Sequence, residues 1–229
     1  LLPASDPLAE PLLVKPRRKG VEYDVDEREG VLYIHTNDTH ENFRLATAPL
    51  SDPANWTTLI EGSDEFYLTG FELFKDFYVT EGRLAGLDQV QIRDYGDPAR
   101  IESIVFPEES YSAGLDDNPE WDVDTLRLGY SSMVTPDTVY DYHLADKRLE
   151  VLKVREVPSG FDPEQYATER LTVTARDGTQ IPVSILYRRD RASPGPLHLY
   201  GYGAYGISAD PVFSVPAIAL VDRGWAYAI

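Results

Sequence analysis

The sequence predicts a mostly β chain: about three blades of a β-propeller, followed by the first strands and helix of an α/β sheet. Three observations carry this reading. Short β-type runs succeed one another with turn residues between them. The runs fall into groups that open near Val21, Phe66 and Tyr111, a period of about 45 residues with about four strands each. After Lys153 the pattern changes to strand, glycine-rich turn, helix and strand. A β-sandwich is the competing arrangement, since no Trp-Asp or kelch signature accompanies the repeat.

Taken in order, residues 1–20 are rich in Pro, Leu and the basic residues Lys15, Arg17, Arg18 and Lys19, and read as a linker or the end of a preceding element. The first group holds the runs 21–25, 31–35, 43–46 and 56–60. The second holds 66–68, 70–74, 76–80, 87–92 and 101–106. The third opens at Tyr111 and continues with 125–131, 138–142 and 149–153. Propeller rings need about four to eight blades, so further blades are expected before Leu1. The only methionine is Met133, which also leads us to expect that the chain is cut at its N-terminus.

A turn cluster at 157–163 separates the repeats from the C-terminal part of the chain. Two alternating runs, 170–175 and 181–187, flank Asp177-Gly178, a hairpin signal. A more continuously apolar strand is expected at 196–200. Ser214 to Asp222 has helix character, with Ser214 as N-cap, Pro216 in the first turn and Gly224 just past the end. A buried-type strand is expected at 225–229.

Composition narrows the function classes. The 229 residues, 42% hydrophobic, suffice for one large domain or two smaller ones. No apolar run reaches the roughly 18 residues a membrane helix needs, and Leu1-Leu2-Pro3 lacks the form of a signal peptide. With no cysteine there is no disulfide, thiol nucleophile or thiolate metal site, which fits a reducing, cytoplasmic compartment. A net charge of −18 repels nucleic acid and anionic membranes and attracts cationic ligands; ordinary solubility accounts for it equally well.

The stretch that points to chemistry is Leu197 to Gly206, an apolar strand running into a glycine-rich turn with three tyrosines. Gly201 to Gly206 matches G-x-G-x-x-G, but a dinucleotide site needs a helix to open at once, and Asp210-Pro211 resists that. Tyrosines occupy positions where backbone must approach phosphate, and Asp222 precedes the next strand, where a ribose-binding acid should come after it. The alternative is acyl transfer, in which such a loop supplies a tyrosine hydroxyl to an oxyanion. The same tyrosines would serve equally well as packing residues. No G-x-S-x-G occurs in the chain, His198 between leucines reads as a packed residue, and no histidine pair has metal-ligand spacing.

Several runs resemble the oligopeptidase B group of the prolyl oligopeptidase family of serine peptidases. They are Pro16 to Tyr23, Asn42 to Leu45, Tyr130 to Asp141, Arg170-Leu171 with Ala175 to Gly178, Pro182 to Ser184, Leu199 to Gly206 and Leu220 to Gly224. The resemblance covers nearly the whole chain in order. It implies the C-terminal blades of a seven-bladed propeller over residues 1–156, and the N-terminal part of an α/β-hydrolase peptidase domain over 157–229. It implies hydrolysis of short basic peptides after Arg or Lys by a Ser-Asp-His triad, with no cofactor or metal, the propeller keeping out larger substrates. Within the matched motif, Tyr202 takes the oxyanion-hole position. Asp210 takes the first of two acidic positions for a second basic substrate residue, while the other falls on Val212, which is not acidic. The triad is expected beyond Ile229, in the remaining part of the parent chain, so these residues alone are expected to be inactive. The alternative is a non-catalytic propeller that binds a peptide or protein.

Overall fold

The computed structural model describes residues 1–97 and 99–229. Three four-stranded sheets succeed one another along the chain. The first runs in the order β1 (Tyr23–Arg28), β2 (Val31–Thr36), β3 (Arg44–Pro49), β4 (Thr57–Ile60), all antiparallel. The second comprises β5 (Phe66–Leu73), β6 (Phe77–Leu84), β7 (Leu87–Asp94) and β8 (Ile101–Ser103), in chain order. The third is again an antiparallel meander, β9 (Tyr111–Leu115), β10 (Thr125–Ser132), β11 (Thr138–His143) and β12 (Arg148–Val154).

The sheets open at Tyr23, Phe66 and Tyr111, so the repeat read from the sequence is a repeat of sheets. The runs at 66–68 and 70–74 are one strand, β5, and not two. A bulge between Leu68 and Gly70 shifts the register on β6, which breaks the alternation without ending the strand. β8 stops at Ser103, short of the expected Phe106.

By contact density the chain divides into two units, Leu1–Leu84 with Gln91–Glu102, and Ala85–Val90 with Ser103–Ile229. In the first unit, β2 is buried on both faces apart from Val31. Leu32 and Ile34 join Ala46, Ala48 and Val14 in one cluster, whereas Tyr33 faces a second with Leu45, Leu68, Leu73 and Tyr78. Two-sided burial suits a central strand, and each Å² of apolar surface removed from water there contributes about 25 cal/mol. Val14 corrects the linker reading of residues 1–20. It is 6% exposed, Lys15 Nζ sits 3.8 Å from the Trp56 ring centroid, and Tyr23 donates its hydroxyl to the Lys15 carbonyl.

His35, on the same face of β2 as Tyr33, is 5% exposed, stacks on Phe43 and has Nε2 2.9 Å from the Leu68 carbonyl oxygen. Burial pushes its pKa below the ordinary histidine value. The unfolded chain therefore takes up a proton at a pH where the folded chain does not, and stability is lost as pH falls below about 6.5. Urea midpoints between pH 7.5 and 5.5 are expected to fall, and His35→Gln is expected to flatten that part of the profile. An unchanged slope in the variant would assign the loss elsewhere.

In the second unit the third sheet is succeeded by a fourth in the order β13 (Tyr166–Thr174), β14 (Gln180–Arg188), β16 (Ala226–Ala228), β15 (Leu197–Leu199). β13, β14 and β16 pair antiparallel; β15 and β16 pair parallel. The crossover between β15 and β16 carries the helix α1 (Val215–Val221). Ser214 caps it as expected, accepting the Ala217 N–H at 3.3 Å. Ile218 and Val221 bury against Met133, Tyr166 and Leu186. The strand expected at 196–200 is β15, which lies at the edge of this sheet; its residues are exposed, and its leucines have no covering layer among the described residues.

Candidate functional site

The strand β15 delivers the glycine-rich turn. Backbone bonds from Ala226 to Pro196 and from Tyr200 to Ala228 extend its parallel pairing with β16, so the chain leaves the sheet at a fixed point just before Gly201. It then reverses through Tyr205 (φ 58°) and Gly206 (φ 69°), closed by the Ile207 N–H on the Ala204 carbonyl at 3.1 Å. Two successive left-handed residues explain glycine at 206, since a Cβ there would be strained. The helix α1 opens only at Val215, well past Gly206, so this turn presents no helix N-terminus to a phosphate.

Tyr202 lines a cavity of about 760 Å³ in the second unit. Tyr202 is 47% exposed, and its hydroxyl has no hydrogen-bond partner among the described residues. Much of the wall is apolar, supplied by Val173, Ile181, Pro182 and Leu199, with Ser184 and Ser208 as neutral polar groups. Ser184 is itself held: its hydroxyl hydrogen-bonds that of Ser110, and its backbone exchanges both bonds with Ile229.

Asp210 is half-buried and does not line the cavity with Tyr202, although its neighbours Ala209 and Pro211 do. Val212 lines a different cavity, of about 930 Å³, walled by β9 to β12. The segment between them is fixed by Ser131 on β10, 7% exposed, which accepts the Phe213 N–H at 3.1 Å. Phe213 also packs edge-on against Phe161, and Phe161 stacks on Tyr166. Tyr166 in turn donates to the Asp222 carboxylate at 2.7 Å, and burial together with that charge pushes its own pKa up to about 12. Arg188 donates to both Asp222 and Asp190, which fixes the turn between α1 and β16.

His198 stacks on Tyr227 at 5.5 Å while remaining open to solvent on the edge strand. Among the described residues no three His, Asp or Glu side chains converge on a point that could hold a metal ion. Two residues at the site carried no signal of their own in the sequence. Ser131 lies in the repeats, and only the tertiary contact to Phe213 gives it a task. Arg170 lines the same cavity as Tyr202, and its guanidinium donates to the carbonyl of Ala85.

Residues 1–155 match the family model described as prolyl oligopeptidase, N-terminal beta-propeller domain. A dipeptidyl aminopeptidase BI from Pseudoxanthomonas mexicana is 38% identical over 95% of this chain, which covers 30% of that protein. Protease 2 from Moraxella lacunata is 31% identical over 98% of the chain and 32% of its own length. Among solved structures, oligopeptidase B from Trypanosoma brucei, in a closed form with covalently bound antipain, superposes with a TM-score of 0.86 at 35% identity. The match covers 94% of this chain and 32% of that one. The chain thus spans about a third of the length of the relatives it matches.

Proposed function

The chain belongs to the prolyl oligopeptidase family of peptidases, and from that premise we propose that it is part of a serine oligopeptidase cleaving short peptides after Arg or Lys. Residues 1–156 serve as propeller blades that restrict access to small substrates, and 157–229 as the opening of an α/β-hydrolase domain. The observation that carries the reading is Tyr202: an unpartnered phenol displayed on a fixed turn at the end of a parallel strand pair, in a cavity. Such a donor is worth most where negative charge develops on the carbonyl oxygen of the tetrahedral intermediate. The nucleophile and its base come from the rest of the protein, and this chain by itself is inactive.

Asp210 supplies one carboxylate for a basic substrate residue, and Val212, exposed and apolar, removes the second. The preference is therefore for a single basic residue over a pair. The charge of −18 draws cationic peptides toward the protein, and the cysteine-free composition suits a cytoplasmic location. The relatives' names span dipeptidyl and prolyl specificities as well, so the test compares all three. The parent enzyme and the 229-residue chain are assayed on fluorogenic arginyl, prolyl and dipeptidyl substrates. Arginyl cleavage by the parent and none by the chain is expected. A prolyl or dipeptidyl preference in the parent overturns the specificity, and cleavage by the chain alone overturns the division of labour.

A further inference from the structure

Among the described residues lining the cavity beside Tyr202, Arg170 is the one charged side chain. It is half-buried on β13, and its hydrogen bond goes to a neutral acceptor, the Ala85 carbonyl. None of the described carboxylates forms an ion pair with it, in a chain that carries 39 acidic residues. A guanidinium has five N–H donors in a rigid fork shaped for a carboxylate, and one carbonyl leaves most of that fork unused.

The anchor is itself rigid. Ala85 and Gly86 form a hairpin tip with φ of 51° and 73°, the pair of left-handed residues that a tight hairpin turn requires. A Cβ on Gly86 would come within 3.0 Å of Pro182 Cγ, so the tip sits directly on β14. The Ala85 carbonyl therefore pins one arm of Arg170 from a fixed position. A pinned, half-buried cation on a wall with no other charged side chain among the described residues is preorganised for an anion, since little side-chain freedom remains to be lost on binding.

We propose that Arg170 is a carboxylate-binding site that receives the C-terminal carboxylate of a short peptide lying in the cavity beside Tyr202. The assignment of the ligand as a peptide rests on the function proposed above. A carboxylate suits the site better than a phosphate. One cation matches a monoanion, a planar acid matches the planar fork, and the apolar wall takes the side chain that precedes the terminus. The site selects for a chain end, because an internal residue of a longer peptide offers Arg170 no terminal carboxylate.

The test uses the intact 229-residue chain and needs no catalysis. Acetyl-Ala-Ala-Phe is titrated as the free acid and as the C-terminal amide, by calorimetry or by NMR of the arginine side-chain N–H groups. Acetyl-Ala-Glu-Phe amide and inorganic phosphate form two further arms. The free acid is expected to bind at least about tenfold more tightly than the amide. Arg170→Gln is expected to erase that preference, and Arg170→Lys to keep part of it. Equal affinity for acid and amide, including no binding of either, overturns the proposal without any variant. A glutamyl amide that matches the free acid, or phosphate that binds more tightly than it, overturns the assignment to a peptide terminus. The acid-to-amide ratio judges Arg170 alone, while arginyl cleavage by the parent judges the proposed function, so each can fail separately.

Discussion

Tyr202→Phe in the parent enzyme is expected to lower kcat on an arginyl substrate by about 10²-fold, the typical loss when one oxyanion donor is removed. KM is expected to change little. The phenyl ring keeps its place on the cavity wall, and only the hydroxyl is lost. That hydroxyl bonds to no described residue, so its removal breaks no hydrogen bond within this chain. The interaction it makes belongs to the transition state, which is why kcat and kcat/KM should fall together. Urea midpoints of the variant and the unaltered chain should coincide. An unchanged kcat rejects the oxyanion role and leaves Tyr202 as a wall residue, whereas a raised KM at constant kcat makes it a binding residue.

What the sequence makes legible here is what repeats or what is local. The three sheets announce themselves through strand-length runs and a constant interval, because each blade meets the same packing demand on its own short segment. The cap of α1 is legible for the same reason, as Ser214 and Ala217 lie within one turn. The bulge at Leu68 and Gly70 is not, since a one-residue register shift mimics a strand end. Val14 is hidden by its proline-rich neighbours, and only the first sheet's core shows where it goes. At the site, Tyr202 stands out because glycines bracket it. Arg170 does not: its anchor is Ala85, 85 residues away in sequence, and no local pattern encodes that contact. Ser131 and Phe213 are likewise joined only by the fold.

The largest stability effect is expected from Asp38→Ala in the first unit. Arg44 on β3 is 6% exposed and meets Asp38 with both arms of its fork, Nε to Oδ1 at 2.7 Å and Nη2 to Oδ2 at 3.0 Å. Its remaining arm donates to the Thr58 hydroxyl on β4, so one guanidinium ties the β2–β3 loop to two strands. Removing the carboxylate leaves a buried cation without its counter-charge, a loss of about 3 kcal/mol or more by the usual cost of breaking such a pair. The double variant Asp38→Leu with Arg44→Met is expected to be markedly milder, since it removes the uncompensated charge as well as the pair. A double variant as unstable as Asp38→Ala would show that packing around the loop, and not charge, sets the cost. The same pair predicts a pH dependence. The Arg44 guanidinium holds the Asp38 carboxyl below the ordinary carboxylate range, so the unfolded chain protonates first as acid is added. The contribution is full above about pH 4 and is lost as pH falls through the folded value. Urea midpoints of the unaltered chain and Asp38→Ala should therefore stand furthest apart near neutrality and converge below about pH 4. A gap that stays constant to pH 3 would exclude the ion pair as its source.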